Sequence, residues 1–370
     1  MKHRGFAAGL TAALVAATAI GGTVSAQTAW DGRVPVTGPF AAPSKAQDPL
    51  DNLPPGVRVI TSFGERAVFS PDGSKVAFIE RAYGDAFELD LKTGAMRNLT
   101  AHLPNPGFLR VHYMADGSFL LLGPRSIGAN KEETRAAHIE MWWMDAKAQG
   151  QAFPLGQTVF EGLAASPASN RVAWQVVDPR VGVVSPRMPL KVSLMVGEVV
   201  VDKGRPRLEQ VRPVVSRDAR ECLLEAQDWF DGDRKLTSTC YVMDHSGIPG
   251  AKPVAQSQVY VVDVASGAME HVPTPLDLYA EAEGIFPGGR HTTTECGNDQ
   301  AKGLDVCVLE LKAKDPGYWR ITFAQDYGNY RFSNPQVSRD GRKMAFQIGL
   351  AAEEAGSGRG ILVMDLPPGL

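Results

Sequence analysis

Arginine, glutamate and histidine side chains stand close to the starts of several apolar segments, and these are the residues best suited to hold a ligand. A guanidinium group binds a carboxylate through two parallel hydrogen bonds, so arginines accompanied by a few acids favour a carboxylate-bearing or sugar-like ligand. The same charges could instead pair with one another or remain solvated. The candidate ligand-binding residues are Arg66, Arg110, His112, His138, Glu161, Glu283 and Arg331.

The histidines raise the question of a metal, and their spacing predicts none. Six histidines follow residue 26, no two stand four residues apart, and the His-Glu-x-x-His motif is absent. His112 and His138 are the better candidates for ligands that could converge through the fold. A Gly-x-Ser-x-Gly turn and a Gly-rich phosphate loop are also missing. We therefore predict no cofactor, and a divalent metal is the alternative.

One repeated stretch shows which elements position these side chains. Residues 67–78 read AVFSPDGSKVAF, and residues 335–346 read PQVSRDGRKMAF. In each copy an apolar run meets Asp-Gly and is followed by alternating apolar residues, the pattern of two strands joined by a tight turn. Glycine reaches positive φ without steric cost, and aspartate can hydrogen-bond to the nearby backbone. Each copy therefore predicts a β-hairpin.

Weaker copies of this turn recur along the chain. The turns lie at Asp72-Gly73, Asp116-Gly117, 166–170, Asp231-Gly232, 287–290 and Asp340-Gly341. Their spacing suits four strands of about five residues each, with short connections. The sequence therefore predicts an all-β fold, a six-bladed β-propeller of four-stranded antiparallel blades.

The position of the turns within the blades separates two faces of such a propeller. If Asp-Gly joins the first and second strands of every blade, these turns emerge on one face, the turn face. The connections between second and third strands emerge on the opposite face, the long-loop face, where the first strands begin. Four of these connections are long and charged: 123–138, 178–191, 243–257 and 349–360. We predict the functional site on the long-loop face, unless these loops merely tolerate insertions.

Residues 70–78, SPDGSKVAF, resemble the repeat of TolB-type propellers, also called PD40 or WD40-like repeats. The resemblance extends over nearly all of residues 57–366 and is strongest in the first and last repeats. It implies a binding or scaffold protein at the cell envelope, with an envelope protein as partner. Oligogalacturonate lyases have similar propellers. The alternative is therefore a periplasmic carbohydrate-active enzyme, a lyase or hydrolase, metal-dependent or not, that works at the long-loop face.

The start of the chain predicts export. Residues 1–26 combine a basic beginning, an Ala-rich apolar stretch and the small residues Val24-Ser25-Ala26, so we predict a signal peptide cleaved near Ala26 and a periplasmic or secreted protein. Residues 27–54 read as an extended Pro-rich arm, and residues 55–370 as the propeller. Without the leader the chain has 36 basic and 41 acidic residues, which disfavours a nucleic-acid partner. No later stretch is long and apolar enough for a membrane span.

Four cysteines are an even number in a chain predicted to be exported, which favours disulfide bonds. Three connectivities are open. We prefer Cys222–Cys240 and Cys296–Cys307, because the members of each pair are close in sequence and flank a turn-rich loop. Metal binding is the alternative, although no Cys-x-x-Cys spacing occurs.

Overall fold

The computed structural model describes residues 32–178, 191–219, 221–242, 256–275, 277–299, 303–353 and 356–367. The predicted signal peptide, the first residues of the predicted arm and most of the loops 178–191 and 243–257 lie outside these ranges. The division of the chain at residues 26 and 54 stays a prediction.

Twenty-five strands in the described residues form six antiparallel sheets. Two strands precede the first blade, β1 (Val34–Pro35) and β2 (Val57–Thr61). Blade 1 contains β3 (Glu65–Phe69), β4 (Lys75–Ile79), β5 (Ala86–Asp90) and β6 (Met96–Asn98). Blade 2 contains β7 (Arg110–Tyr113), β8 (Phe119–Pro124), β9 (Ile139–Met144) and β10 (Phe153–Thr158). Blade 3 contains β11 (Leu163–Ala165), β12 (Arg171–Asp178), β13 (Lys191–Asp202) and β14 (Arg205–Asp218).

The remaining blades follow in chain order. Blade 4 contains β15 (Leu223–Phe230), β16 (Lys235–Val242), β17 (Gln256–Asp263) and β18 (Met269–Val272). Blade 5 contains β19 (Tyr279–Ile285), β20 (His291–Asp299), β21 (Gly303–Glu310) and β22 (Tyr318–Arg320). Blade 6 contains β23 (Tyr330–Val337), β24 (Lys343–Leu350) and β25 (Ile361–Asp365), and β2 is its fourth strand.

The predicted six-bladed propeller is confirmed, and its ring is closed by both ends of the chain. Strand β2 pairs with β25 in antiparallel register, so a segment from before blade 1 completes blade 6. The first strands of successive blades contact one another around the ring, from β3 to β23 and back to β3. These six strands therefore line the central channel.

The repeated Asp-Gly turns join the first and second strands of the blades, as predicted, and their polar side chains are used within the turn. Asp72 accepts hydrogen bonds from the Ser70 hydroxyl at 2.6 Å and from the Ser74 amide at 3.0 Å. These bonds lower the pKa of Asp72 to about 2. Gly73 occupies positive φ, at 69°. The motif is therefore a structural device, and it lies on the face opposite the long loops.

The apolar core is divided among the blade interfaces. Buried hydrophobic side chains of the described residues form six clusters, and each cluster joins the facing sheets of two neighbouring blades. Trp174 fills the interface between blades 2 and 3, and Trp229 fills the next one; both are fully buried. This packing fixes the angle between the blades and thus the width of the channel.

The long-loop face carries the only α-helical turn among the described residues, at Lys131–Glu133, continued by a π-type turn at Thr134–His138. No helix in the described ranges is long and apolar enough to cross a membrane.

The described part of the predicted arm packs along blades 5 and 6. Strand β1 pairs with β22 as a fifth strand of blade 5, and a 3₁₀ turn follows at Pro49–Asn52. The Tyr330 hydroxyl donates to the Asp48 carboxylate at 3.1 Å.

Candidate functional site

A cavity of about 250 Å³ lies at the long-loop end of the channel, where the first strands begin. Side chains from all six blades reach it, and their charges are unevenly distributed around the ring. Blades 6, 1 and 2 contribute arginines, which we call the arginine wall: Arg331, Arg66, Arg110 and Arg135. Blades 4 and 5 contribute the carboxyl groups of Glu225, Glu281 and Glu295 to the lining. Together with Glu283, which lies against Glu281 and Glu295, we call them the carboxyl wall.

Glu161, just before β11, lies between the two walls in the order of the blades and contacts the arginine wall. Its Oε1 lies 2.9 Å from Arg66 Nη2, 3.3 Å from Arg135 Nη2 and 3.9 Å from Arg110 Nη2. Although burial opposes ionisation, these three guanidinium groups lower the pKa of Glu161 to about 2. Glu161 is therefore a firmly ionised carboxylate that holds three of the four arginines of the arginine wall.

Arg331 differs from the other arginines because it has no such partner. Its side chain lines the cavity and is only 9% exposed, yet it makes no hydrogen bond or ion pair with any residue that the structure describes. The Nε atoms of Arg66 and Arg110 are also buried without a hydrogen-bond acceptor. Glu65, behind this wall, approaches Arg66 Nε no closer than 3.9 Å. A buried charge without a partner is costly, so the wall is suited to receive an anion.

The carboxyl wall is built around two tyrosines. The Tyr241 hydroxyl lies 2.9 Å from Glu225 Oε2 and also hydrogen-bonds to Glu281. Tyr279 donates to the other oxygen of Glu281. A phenol hydroxyl has one proton to give. One of the two contacts of Tyr241 is therefore best made by a protonated carboxyl group that donates to the phenol oxygen.

The raised pKa values of the carboxyl wall support a protonated carboxyl group beside Tyr241. Burial is the main cause that raises the pKa of Glu225 to about 8, against the attraction of Arg110, and that raises the pKa of Glu281 to about 7. Burial and the neighbouring acids raise the pKa of Glu283 well above its ordinary value. At neutral pH the carboxyl wall of the empty cavity holds protons, whereas Glu161 does not.

Three members of the carboxyl wall converge. One oxygen each from Glu281, Glu283 and Glu295 lies within 4.8 Å of the others, and all three side chains are buried. Glu295 also accepts a hydrogen bond from the Asn334 amide at 2.8 Å. Glu283 makes no hydrogen bond or ion pair within the described part of the chain. Three such oxygens could hold a cation.

Bulges in the first strands aim several of these side chains. The pairing of β3 with β4 shifts register between Glu65 and Val68, and Arg66 within this bulge has a φ of 56°. Its amide donates to Gln347 Oε1 of blade 6 at 2.6 Å. Asn334 has a φ of 49° in the corresponding bulge of β23. Positive φ in residues other than glycine is strained and concentrates at functional sites.

The structure brings together five of the seven predicted site residues: Arg66, Arg110, Glu161, Glu283 and Arg331. His112 lies on the same side of β7 as Arg110 but about 7 Å deeper, beside Asp228 and Arg339. Burial lowers the pKa of His112 to about 3. His138 ends the helical loop and lies near Ser126, outside the cavity lining.

The sequence reasoning passed over Arg135, Glu225, Glu281, Glu295, Tyr241 and Tyr279. A signal existed for Glu225. It stands six residues before Asp231 of its turn, just as Arg66 stands six before Asp72 and Arg110 six before Asp116. Arg135 has no such signal, because it reaches the channel from a loop through a helical turn that only the folded chain defines.

Both disulfides lie beside the carboxyl wall. The preferred pairs, Cys222–Cys240 and Cys296–Cys307, are the ones that the structure contains. Cys240 directly precedes Tyr241, and Cys296 directly follows Glu295. The bridges therefore link neighbouring strands where these strands present the wall to the cavity.

These features define a six-bladed β-propeller with a charged cavity at the long-loop end of its channel, the architecture that the resemblance to TolB-type propellers implies. The sequence matches no protein-family model and no curated protein.

Solved structures with a similar fold include TolB from Acinetobacter baumannii, at 10% identity over 83% of this chain with a TM-score of 0.46. The tricorn protease matches at 13% identity over 80% of this chain with a TM-score of 0.47. An oligogalacturonate lyase from Vibrio parahaemolyticus matches at 11% identity over 84% of this chain and 94% of its own, with a TM-score of 0.45. This chain spans 65% of that TolB and 26% of the protease. Identities this low concern the fold alone.

Proposed function

We propose that this protein is an exported propeller that binds a small carboxylate-bearing molecule at the arginine wall, as a binding or scaffold protein of the cell envelope. The observation that carries the proposal is Arg331, a buried arginine that lines the cavity without a partner among the described residues. A carboxylate there would accept hydrogen bonds from its guanidinium group in a site largely shielded from water, where charge-assisted bonds are strong.

The test is calorimetric titration of the purified protein with D-galacturonate, D-glucuronate, acetate, butanoate and hexanoate. We expect at least one of these to bind, and Arg331→Met to weaken that binding about 30- to 1,000-fold, as loss of a buried charge partner does. Arg207→Met is the matched control, because Arg207 is 53% exposed and pairs with Glu209 on the outer hairpin of blade 3. Equal binding by wild type and Arg331→Met, or no binding by any acid, would refute the proposal.

The same test separates binding from folding. Arg331→Met removes an unpaired buried charge and keeps the length of the side chain, so the free energy of unfolding should stay the same or rise. A variant that unfolds more easily would instead assign Arg331 a structural role.

Two disulfides in the structure support an exported location, since such bonds persist in oxidising compartments. Cell fractionation and N-terminal sequencing test this part. We expect a mature chain that begins near Gln27 in the periplasm or medium. The envelope-protein partner implied by the TolB-type resemblance stays a prediction, which crosslinking in the same fractions would examine.

A second candidate function is a uronate lyase, and Tyr241 between Glu225 and Glu281 is the observation that favours it. Carboxyl groups with pKa values of about 7 and about 8 are suited to general acid–base catalysis near neutral pH. In an elimination, the arginine wall would hold the uronate carboxylate while one ionised carboxylate takes the proton beside it. A protonated carboxyl would give its proton to the departing sugar oxygen as the C–O bond breaks. Ultraviolet absorbance of an unsaturated uronate, lost in Glu225→Gln, would establish this activity.

A further inference from the structure

The carboxyl wall of the cavity has no role in holding a carboxylate, and it faces the arginine wall across the same space. A ligand that carries only a carboxylate brings no positive charge to the converging acids Glu281, Glu283 and Glu295. Arg331 lines the cavity, and Glu283 lies buried beside the lining acids Glu281 and Glu295. Neither makes a hydrogen bond or ion pair in the described ranges.

The geometry of the three converging carboxyl groups suits an ammonium group. A primary ammonium has three N–H donors, and tetrahedral bonds of about 2.8 Å set their acceptors about 4.6 Å apart. The oxygens of Glu281, Glu283 and Glu295 lie within 4.8 Å of one another. Calcium needs six to eight oxygen ligands, and this cluster supplies three carboxyl groups, one of which is already engaged by two tyrosine hydroxyls.

Resting on the proposed binding of a carboxylate, we propose that the ligand is a small zwitterion, with its carboxylate at Arg331 and a primary ammonium group held by Glu281, Glu283 and Glu295. The chemical class is a free amino acid or a similarly small amino-carboxylate. A cavity of about 250 Å³ admits a molecule of this size.

Ammonium binding requires ionised carboxyl groups, so it should release protons. The charged and titratable groups that act on Glu283 and Glu281 from the surrounding elements are Glu225, Glu295, Glu161, Tyr241, Tyr279 and Arg110. An arriving ammonium group favours the charged form of each acid, and the protons held by the empty wall leave to buffer.

The experiment is calorimetric titration with three ω-amino acids, glycine, 4-aminobutanoate and 6-aminohexanoate, and with L-alanine and L-glutamate. Each ω-amino acid is matched by the acid that lacks the amine: acetate, butanoate or hexanoate. We expect at least one amino acid to bind at least tenfold more tightly than its matched acid, with an apparent heat that differs between phosphate and Tris buffers because protons are released. L-Alanine and L-glutamate test whether an α-ammonium group fits as well.

Variants assign the two ends of the ligand. Glu283→Gln should abolish the preference for the amino acid and leave the affinity for the matched acid unchanged, whereas Arg331→Met should weaken both. Glu209→Gln, an exposed residue of the blade 3 hairpin, is the charge-matched control and should change neither.

The outcomes separate the two proposals. If acids bind as tightly as their amino counterparts, the zwitterion is refuted and carboxylate binding stands. If Ca²⁺ or Mn²⁺ raises the melting temperature of the wild type and not of Glu283→Gln, while no amine preference appears, the cluster is a metal site and the zwitterion is refuted. If neither acids nor amino acids bind, both proposals fail.

Discussion

The two walls of the cavity are made of residues of opposite charge, and each accommodates its buried charged groups in a different way. On the arginine wall, ionised Glu161 holds three guanidinium groups together and leaves Arg331 without a partner. On the carboxyl wall, acids stand beside acids and share tyrosine hydroxyls and protons. Among the described residues, only Glu225 of this wall has an arginine within ion-pair distance, Arg110 at 3.3 Å. A glutamate in a propeller channel can therefore be a permanent anion or a proton store, depending on which blades surround it.

The largest expected effect on stability concerns Glu161, which holds three arginines of the arginine wall. Glu161→Gln leaves Arg66, Arg110 and Arg135 without their shared carboxylate, so the free energy of unfolding should fall by about 3–5 kcal/mol. Glu225→Gln should cost far less at neutral pH, because a neutral amide resembles the protonated acid. Urea unfolding followed by circular dichroism measures both. Equal losses in the two variants would break the distinction between the walls.

The disulfides should show the next largest effect. Bridges across separations of 18 and 11 residues stabilise a folded chain by about 3 kcal/mol each in the chain-entropy account. The double serine variants at Cys222/Cys240 and at Cys296/Cys307 should each lose stability of this order in urea unfolding. Because Cys240 and Cys296 adjoin Tyr241 and Glu295 of the carboxyl wall and not Arg331, affinity for a simple carboxylate should survive in both variants. Loss of that affinity would show that the walls are not independent.

The pH dependence of stability should have opposite signs on the two walls. Glu225 has a raised pKa in the folded protein, so it destabilises the fold increasingly from about pH 4.5 to about pH 8. Relative to Glu225→Gln, the wild type should lose up to about 1.4 kcal/mol of unfolding free energy per pH unit across this range.

Glu161 supplies the reverse case. Its pKa is lowered to about 2, so its stabilising contribution is complete above about pH 4.5 and disappears as the pH falls towards 2. Urea unfolding of Glu161→Gln and wild type between pH 3 and pH 8 measures this. A difference between them that does not shrink on acidification would contradict the assignment.

The smallest effect is expected on the rim of the same face. Arg125 Nε lies 2.7 Å from Glu140 Oε2, but the Arg125 side chain is 57% exposed. Exposed ion pairs contribute about 0.2–1 kcal/mol, so Arg125→Ala should change unfolding free energy within that range and leave ligand binding unchanged. A larger effect would mean that the rim belongs to the site.

The sequence predicted the fold because the turn chemistry is local. Ser70 and Asp72 hydrogen-bond within the turn, and Gly73 supplies the positive φ that the turn needs. The repeat of this unit predicts a ring of hairpins. The location of the site on the long-loop face follows from the same repeat. Each turn follows the end of a first strand, so all first strands begin on the opposite face, where the long loops lie.

The division of charge between the walls could not be predicted in this way. Whether a glutamate on a first strand meets an arginine or another acid depends on the neighbouring blades, which lie dozens of residues away along the chain. Glu161 and Glu225 have similar places on the ring, and only their neighbours give them pKa values of about 2 and about 8.

Blade 6 is completed by β2, a strand from before blade 1, so the cavity is completed late in folding. Arg331 of blade 6 and Arg66 of blade 1 lie on either side of the interface between these two blades. The amide of Arg66 donates a hydrogen bond across this interface to Gln347 of blade 6. Arg331 therefore joins the other three arginines of the wall only when blade 6 packs against blade 1. A ligand that binds there stabilises the closed ring by an amount that grows with the logarithm of its concentration, so occupancy of the cavity reports that blades 6 and 1 have met.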